Sequence, residues 1–232
     1  MKRYSIVLAT LLLLVTTTAV LAHKPIFVDP LSNTTRANAI KISDPEISWA
    51  VYAQLSQADE VNYYRFEGKR GLRVQIEMSV PRIESARDFG FDVALIGKGL
   101  AEEVHVPVAL ETGEGVIVVA AEGQDDARVF DEPFTQTAYW QRQTVSAELP
   151  ADGTYTIAVY DPHGRTGKYV LAIGEREDFG VGDIANMPSI VLRVHEFFGD
   201  DVRRAFIVPV GIGLLVSVLV LVSAIRIIRR LK

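Results

Sequence analysis

A regular alternation of apolar and polar residues in the middle of the chain constrains the fold more than any other feature. In the stretch GLRVQIEMSV, which begins at Gly71, every second residue from Leu72 to Met78 is apolar and the residues between them are polar. A period of two places the apolar side chains on one face of an extended chain, as in a half-buried β-strand. The stretch therefore predicts a strand with one face in a core.

Similar patterns recur on both sides of this strand and predict about eight strands in all. The others are expected at Trp49–Leu55 and at residues 61–67, 91–96, 115–121, 138–147, 155–159 and 169–173. Turn signals rich in Gly, Asp and Pro separate them, such as Asp152-Gly153 and the stretch from Asp161 to Gly164. Short strands at this spacing predict a mainly β fold, an antiparallel β-sandwich or jelly roll. The continuous apolar run at 115–121 indicates a strand covered on both faces.

The first 22 residues have the features of a signal peptide. Lys2 and Arg3 precede an apolar run over residues 6–15, and small residues lead to Ala22. This order of charge, apolar core and small residues is typical of a cleaved secretory signal. We therefore predict residues 1–22 as a signal peptide and His23 as the first residue of the mature chain.

A charge-free run near the other end predicts one transmembrane helix. It begins at Ala205 and ends at Ile225, and a helix of this length spans about 31 Å, enough to cross a hydrocarbon core. Basic residues crowd the seven positions that follow, and such clusters mark the cytoplasmic side. The expected topology is a single-pass cell-membrane protein that contacts the lipid bilayer through residues 205–225. Residues 226–232 form its cytoplasmic tail.

Residues 23–178 are the predicted extracytoplasmic domain, in the periplasm or outside the cell. Residues 23–202 carry 16 Lys and Arg against 29 Asp and Glu, and an acidic domain of this kind argues against nucleic-acid binding. The chain has no cysteine, so disulfides and thiol nucleophiles are excluded. Residues 179–204 are expected to form a glycine-rich linker and a juxtamembrane amphipathic helix capped by Ser189.

Five blocks of sequence resemble a known family when they are taken in order. They are YYRF from Tyr63, GLRVQI from Gly71, DVAL from Asp92, LPADGTYTIAV from Leu149 and GKYVLAI from Gly167. Together, over roughly residues 50–174, they resemble the bacterial pre-peptidase C-terminal domain, a small jelly-roll β-sandwich. The resemblance implies a noncatalytic secreted accessory domain of a kind that often accompanies peptidases or glycan-active enzymes.

The expected function is therefore a membrane-anchored binding or structural accessory protein with an unidentified protein partner. No nucleophile elbow, metalloprotease motif or phosphate-binding loop appears in the sequence, and we do not expect an enzyme. The resemblance predicts the fold of this chain but does not identify its ligand, because proteins with the same fold can have many different functions.

One alternative is a copper-binding protein that uses His23. Cleavage after Ala22 would give this residue a free amine beside its imidazole, and the two nitrogens could chelate Cu(II). A second histidine would complete the site, and the sequence does not decide between His105 and His163.

Calcium is another possible cofactor, at a predicted loop rich in carboxylates. Asp125, Asp126, Asp131 and Glu132 supply oxygen ligands of the type that calcium prefers, although their spacing is not that of an EF-hand. A solvated acidic loop is the other interpretation.

A third alternative is a glycan-binding surface module. Aromatic residues cluster between Phe130 and Trp140, with Phe134 and Tyr139 among them, and exposed rings could stack on sugars. The same rings could instead cover one end of the sandwich.

Overall fold

The computed structural model describes residues 23–101, 106–121, 128–133, 135–178 and 180–200. This part of the chain contains eleven strands: β1 Lys24–Phe27, β2 Ile40–Lys41, β3 Trp49–Leu55, β4 Val61–Gly68, β5 Arg73–Pro81, β6 Asp92–Lys98, β7 Glu114–Val119, β8 Arg128–Glu132, β9 Thr137–Glu148, β10 Gly153–Tyr160 and β11 Gly167–Ile173. It also contains two 3-10 turns, Arg36–Asn38 and Glu84–Ala86, and one α-helix, α1, Val181–Phe198. The chain divides into two compact units between Phe179 and Gly180.

The strands form two sheets with the arrangement of a sandwich. One sheet has the order β1-β3-β11-β5-β9-β8 and the other has the order β2-β4-β10-β6-β7. The prediction of a mainly β sandwich is therefore confirmed. The prediction that it is purely antiparallel is wrong, because β1 pairs with β3 and β2 pairs with β4 in parallel. Both sheets are mixed because a short N-terminal strand has been added to each at one edge.

The main core lies between the two sheets. Its apolar side chains alternate along each strand as the sequence pattern requires, so Val74, Ile76 and Met78 of β5 are all buried. Tyr64 and Tyr169 are fully buried in the same cluster. Burial of a side chain such as Val74, Ile76 or Met78 contributes about 1.5–3 kcal/mol relative to its exposed state. This cluster is therefore the main source of stability.

A second apolar cluster covers the outer face of the five-stranded sheet. Ile157 of β10 belongs to the main core, whereas its neighbour Ala158 belongs to the second cluster, as alternation along a strand demands. Val116 of β7 and Val108 of the preceding loop are also buried there. The prediction of a strand at 115–121 is thus confirmed in type, although β7 ends at Val119 and only its first half is covered on both faces.

The second unit is described only by α1 and the residues next to it. The helix begins at Val181, where the Gly180 N–H donates to Asp183 Oδ2 at 2.8 Å, and ends before Gly199, which adopts a left-handed φ of 80°. The predicted cap at Ser189 is therefore wrong. Ser189 lies inside the helix, and its hydroxyl donates to the Asn186 carbonyl at 2.8 Å.

None of the helices in the described residues is both long and apolar enough to cross a membrane. The predicted signal peptide, the predicted span from Ala205 to Ile225 and the predicted basic tail lie outside the described residues.

Candidate functional site

An open depression of about 490 Å³ lies beside the turn that joins β3 to β4. Its lining residues are Leu31, Thr34, Gln57, Ala58, Asp59, Glu60, Val61 and Tyr63. Leu31 and Asp59 have left-handed backbone angles, with φ of 62° and 61°. Such angles are uncommon outside glycine and mark tight turns. Two tight turns, one after β1 and one before β4, therefore shape this depression.

Glu60 places a buried carboxylate in the wall of the depression. One oxygen, Oε2, accepts hydrogen bonds from the backbone N–H groups of Ser56 at 2.6 Å and Gln57 at 3.0 Å. The other oxygen, Oε1, is buried and has no donor among the described residues. The backbone bonds fix the carboxylate in place, so its second oxygen is held ready for a donor or a cation.

Two buried asparagines next to Glu60 share this feature. The side-chain amide of Asn33 donates to the Tyr63 carbonyl at 3.1 Å, and that of Asn62 donates to the Gln54 carbonyl at 2.8 Å. In both residues the side-chain oxygen is buried without a donor in the described part of the chain. A buried polar atom left unpaired costs about 1–3 kcal/mol, so three such acceptors in one region need an explanation.

The buried tyrosines nearby can supply at most one of the missing donors. The Tyr64 and Tyr169 hydroxyls bond to each other at 2.7 Å. Burial raises the pKa of both phenols, while the side chain of Asn33 partly lowers that of Tyr64 and Asn62 partly lowers that of Tyr169. Both phenols therefore stay neutral, and since one proton is used within the pair, only one remains for three acceptors.

The arrangement can bind a hard cation or a donor-rich group. Carboxylate and amide oxygens are the ligands that calcium prefers, and they also accept hydrogen bonds from water or from an ammonium group. Of the three acceptors, Glu60 lines the depression together with Thr34 and Asp59, and these are the residues that could hold such a group there.

Sequence reasoning missed this region, although one signal for it was present. Asn62 precedes Tyr64 and Phe66 at two-residue intervals, so it occupies an inward position of β4. A polar residue at an inward position of an alternating strand indicates a buried hydrogen-bond network. Asn33 carries no comparable signal, because it precedes β2 and reaches β4 only through tertiary structure.

His23, the predicted copper ligand, lies next to the first strand. Its Nδ1 atom hydrogen-bonds the Ser48 hydroxyl. Burial of the ring lowers the pKa of His23. The nearby carboxylates of Glu77, Glu132 and Glu177 raise the pKa, but only partly offset this effect. The residue as a whole, with its backbone, is solvent-exposed. A lowered pKa favours the neutral imidazole, which is the form that binds metals.

The structure does not bring His163 to His23. β1 starts beside Trp49, at the beginning of β3, whereas β11 starts beside Leu55, at its end, and His163 lies just before β11. Six residues of strand separate the two ends by about 20 Å, too far for one copper ion. His105, the other proposed ligand, lies outside the described residues.

The predicted calcium loop is partly a strand. Asp131 and Glu132 belong to β8 and pair with β9, and one Glu132 oxygen accepts hydrogen bonds from the backbone and the hydroxyl of Thr135. Asp125 and Asp126 lie outside the described residues. Within the described ranges, no three His, Asp or Glu side chains are grouped so that they could hold a metal.

The predicted aromatic platform is divided between two faces of the sheet. Tyr139 is buried and its hydroxyl bonds to that of Tyr52 at 3.3 Å, whereas Trp140 packs against the main core. Phe130 is 37% exposed, and Phe134 lies outside the described residues. Tyr139 and Trp140 therefore act in packing, and Phe130 is the exposed ring of this stretch in the described part.

The comparisons with known proteins found one kind of likeness. The chain matches no protein-family model, and no curated protein matches it. Among solved structures, it is similar to the pre-peptidase C-terminal domain of a collagenase from Bacillus anthracis, with 13% sequence identity and a TM-score of 0.31. The match covers 58% of this chain and 93% of that domain. The sequence blocks described above resemble the same kind of domain.

Proposed function

We propose that this chain is a noncatalytic, membrane-anchored accessory protein whose extracytoplasmic sandwich binds a ligand at the depression beside Glu60. The proposed ligand is a hard cation such as calcium. This ion could also organise the binding of a larger ligand at the same depression. The observation that carries this proposal is the buried Glu60 oxygen Oε1, which has no donor among the described residues while Oε2 is held by two backbone N–H groups. A cation bound at this oxygen would offset the cost of burying it unpaired.

The sequence supports the anchoring part of the proposal. The charge-free run from Ala205 to Ile225 and the basic residues after it have the length and charge asymmetry of a membrane span. An anchored domain stays at the membrane surface and presents its loops to neighbouring molecules. The depression is formed by such loops, where binding residues are common.

Thermal unfolding of the full-length chain in detergent tests the cation site. We expect the unfolding midpoint to rise when calcium replaces EDTA, because a ligand that binds only the folded state stabilises it, by about 2.7 kcal/mol at one hundred times its Kd. Glu60→Gln should remove most of this rise. Glu84→Gln is a matched control, because Glu84 is an exposed carboxylate in a 3-10 turn away from the depression, and it should leave the rise unchanged.

An unchanged midpoint with calcium, magnesium and manganese would reject the cation site. A rise in Glu60→Gln equal to that in Glu84→Gln would place the ion elsewhere. Neither result would bear on the anchor, which is tested separately by membrane fractionation.

A further inference from the structure

Strand β8 is the last strand of the six-stranded sheet, and no strand in the described part of the chain pairs with its outer edge. Four of its five residues are exposed, and they include two large apolar side chains, Val129 at 41% and Phe130 at 37%. An open edge offers unpaired backbone N–H and C=O groups, and natural sheets usually protect such edges.

The other three sheet edges in the described part of the chain are protected. β1 has only four residues and contains Pro25, which has no N–H to offer, and β2 has two residues. At the edge of β7, the Val116 N–H donates to the Ala101 carbonyl at 2.8 Å, so the preceding loop covers part of that edge. β8 is therefore the exception among the four edges.

The hydrogen-bond pattern shows which residues of β8 offer their backbone groups. The Arg82 N–H donates to the Ala138 carbonyl at 2.8 Å, so Ala138 directs its backbone groups away from β8. Its neighbour Tyr139 directs its own groups toward β8, where its register partner is Phe130. By alternation, Val129 and Asp131 direct their N–H and C=O groups to the open edge.

We propose that β8 binds β8 of a second copy of this chain in an antiparallel pair, with the two Phe130 residues facing each other on the two-fold axis. In this register Val129 exchanges backbone hydrogen bonds with Asp131 of the second copy. The two Phe130 residues form a non-hydrogen-bonded pair, in which side chains approach most closely. An antiparallel pair of identical strands is closed by its own symmetry, so the assembly stops at two copies.

Charge complementarity selects this register. It places Arg128 directly opposite Glu132 of the second copy, and opposite charges across an antiparallel pair are favourable. Glu132 keeps its bonds to Thr135 in this arrangement. A shift of two residues in one direction would place the two Asp131 carboxylates side by side, and a shift in the other direction would place Arg128 opposite Phe130.

The pairing is expected to be weak in free solution. Two five-residue strands bury far less than the roughly 1,200 Å² of a stable interface. A membrane anchor would raise the local concentration of the domains and would favour their pairing without new contacts. The strand register itself does not depend on the anchor.

The absence of cysteine from the chain permits a direct test by disulfide formation. In full-length Phe130→Cys reconstituted in lipid vesicles, the facing Cα atoms would lie about 4.5 Å apart, within the range of a disulfide. Val129→Cys is the matched control, because Val129 has a similar exposure but its two copies would lie about 8 Å apart, too far for a disulfide. Both positions are exposed, so both variants should fold.

The expected result is that mild oxidation links Phe130→Cys into dimers at least about tenfold faster than Val129→Cys. Addition of Arg128→Glu to Phe130→Cys should slow the linkage several-fold, since like charges would then face each other. Linkage at equal rates, faster linkage of Val129→Cys, or the absence of linkage at both positions would each overturn the proposed pair.

Discussion

At the scale of single residues, the Tyr64–Tyr169 hydroxyl pair stabilises the centre of the sandwich. Both rings are fully buried and the oxygens lie 2.7 Å apart. We expect Tyr64→Phe to lower the free energy of unfolding by about 1–2 kcal/mol, because it leaves the Tyr169 hydroxyl with one partner fewer. The double variant Tyr64→Phe/Tyr169→Phe should cost less than the sum of the single variants, since it removes both polar groups. Denaturant titration of the three variants measures this coupling, and simple additivity would contradict it.

The ion pair between Asp161 and Arg165 predicts a loss of stability in acid. Burial alone would raise the pKa of Asp161, but hydrogen bonds from the Arg165 side chain and backbone outweigh burial and hold the pKa below its usual value. The stabilisation is therefore present above the pKa of the unfolded chain, about 3.9, and is lost as the pH falls through the lower folded value. At pH 7, Asp161→Asn should cost about 2 kcal/mol, as expected for a lost charge-assisted bond. The difference from wild type should shrink toward zero in acid.

Asp92 provides a control with the opposite sign. Burial raises the pKa of Asp92, and the hydrogen bond from the Ala121 N–H at 2.8 Å only partly offsets this effect. Its ionisation therefore opposes folding as the pH rises through the unfolded pKa, and the cost disappears in acid. Asp92→Asn should stabilise the domain at neutral pH and have little effect in acid. If the two variants showed the same pH dependence in denaturant titrations, the assignment of opposite shifts would be wrong.

At the scale of secondary structure, the strands with a period of two or a continuous apolar run were predictable, and β1, β2 and β8 were not. β3 was predicted with its observed bounds from a nearly continuous apolar run, and β5 and β10 within a few residues because each alternates over at least five positions. β1 and β2 are too short to show a period, and they form only because parallel neighbours β3 and β4 pair with them. β8 contains two adjacent carboxylates, Asp131 and Glu132, that favour a loop, and pairing with β9 overrides this preference.

The edge of β7 depends on the absence of a side chain at Gly115. A Cβ atom added there would lie 1.9 Å from the Leu100 carbonyl oxygen and 2.7 Å from that of Ala101. Since a backbone carbonyl cannot move aside easily, we expect Gly115→Ala to displace this loop and to lower the free energy of unfolding by about 3 kcal/mol. Gly182→Ala in α1 is the control, because nothing lies within 4 Å of its added Cβ. It should be neutral or stabilising by up to about 1 kcal/mol.

Hydrogen exchange can report the same change without unfolding the protein. The Val116 N–H is protected by the Ala101 carbonyl, so its exchange should accelerate in Gly115→Ala more than that of amides in β10. Uniform acceleration across the sandwich would show that the variant acts through global stability alone.

At the scale of the whole molecule, the candidate site could not be read from the sequence because its residues come together only in the fold. Leu31 and Thr34 lie before β2, whereas Asp59 and Glu60 lie just before β4. The Tyr63 N–H donates to the Asn33 carbonyl at 2.9 Å and the Asn33 side-chain amide donates to the Tyr63 carbonyl at 3.1 Å, and these two long-range bonds bring the segments together. Sequence periodicity identifies faces of strands, but it does not identify which loop crosses which strand. The predicted copper ligands His23 and His163 show the opposite error. Both residue types can bind copper, but the fold places them at opposite ends of β3.

The proposed anchor leads to a prediction for the full-length chain in cells. After expression in a secreting host, the chain should remain with the membranes through alkaline carbonate, because a helix from Ala205 to Ile225 would be held by its apolar length. Leu215→Arg/Leu219→Arg should release it, since each charge at the centre of a span costs about 2.5–3.5 kcal/mol on insertion scales. Leu110→Arg, at a partly exposed position of the sandwich unit, is the control and should stay with the membranes. Protease added outside should digest the sandwich and spare a tag after Lys232; a digested tag with a protected sandwich would reverse the topology.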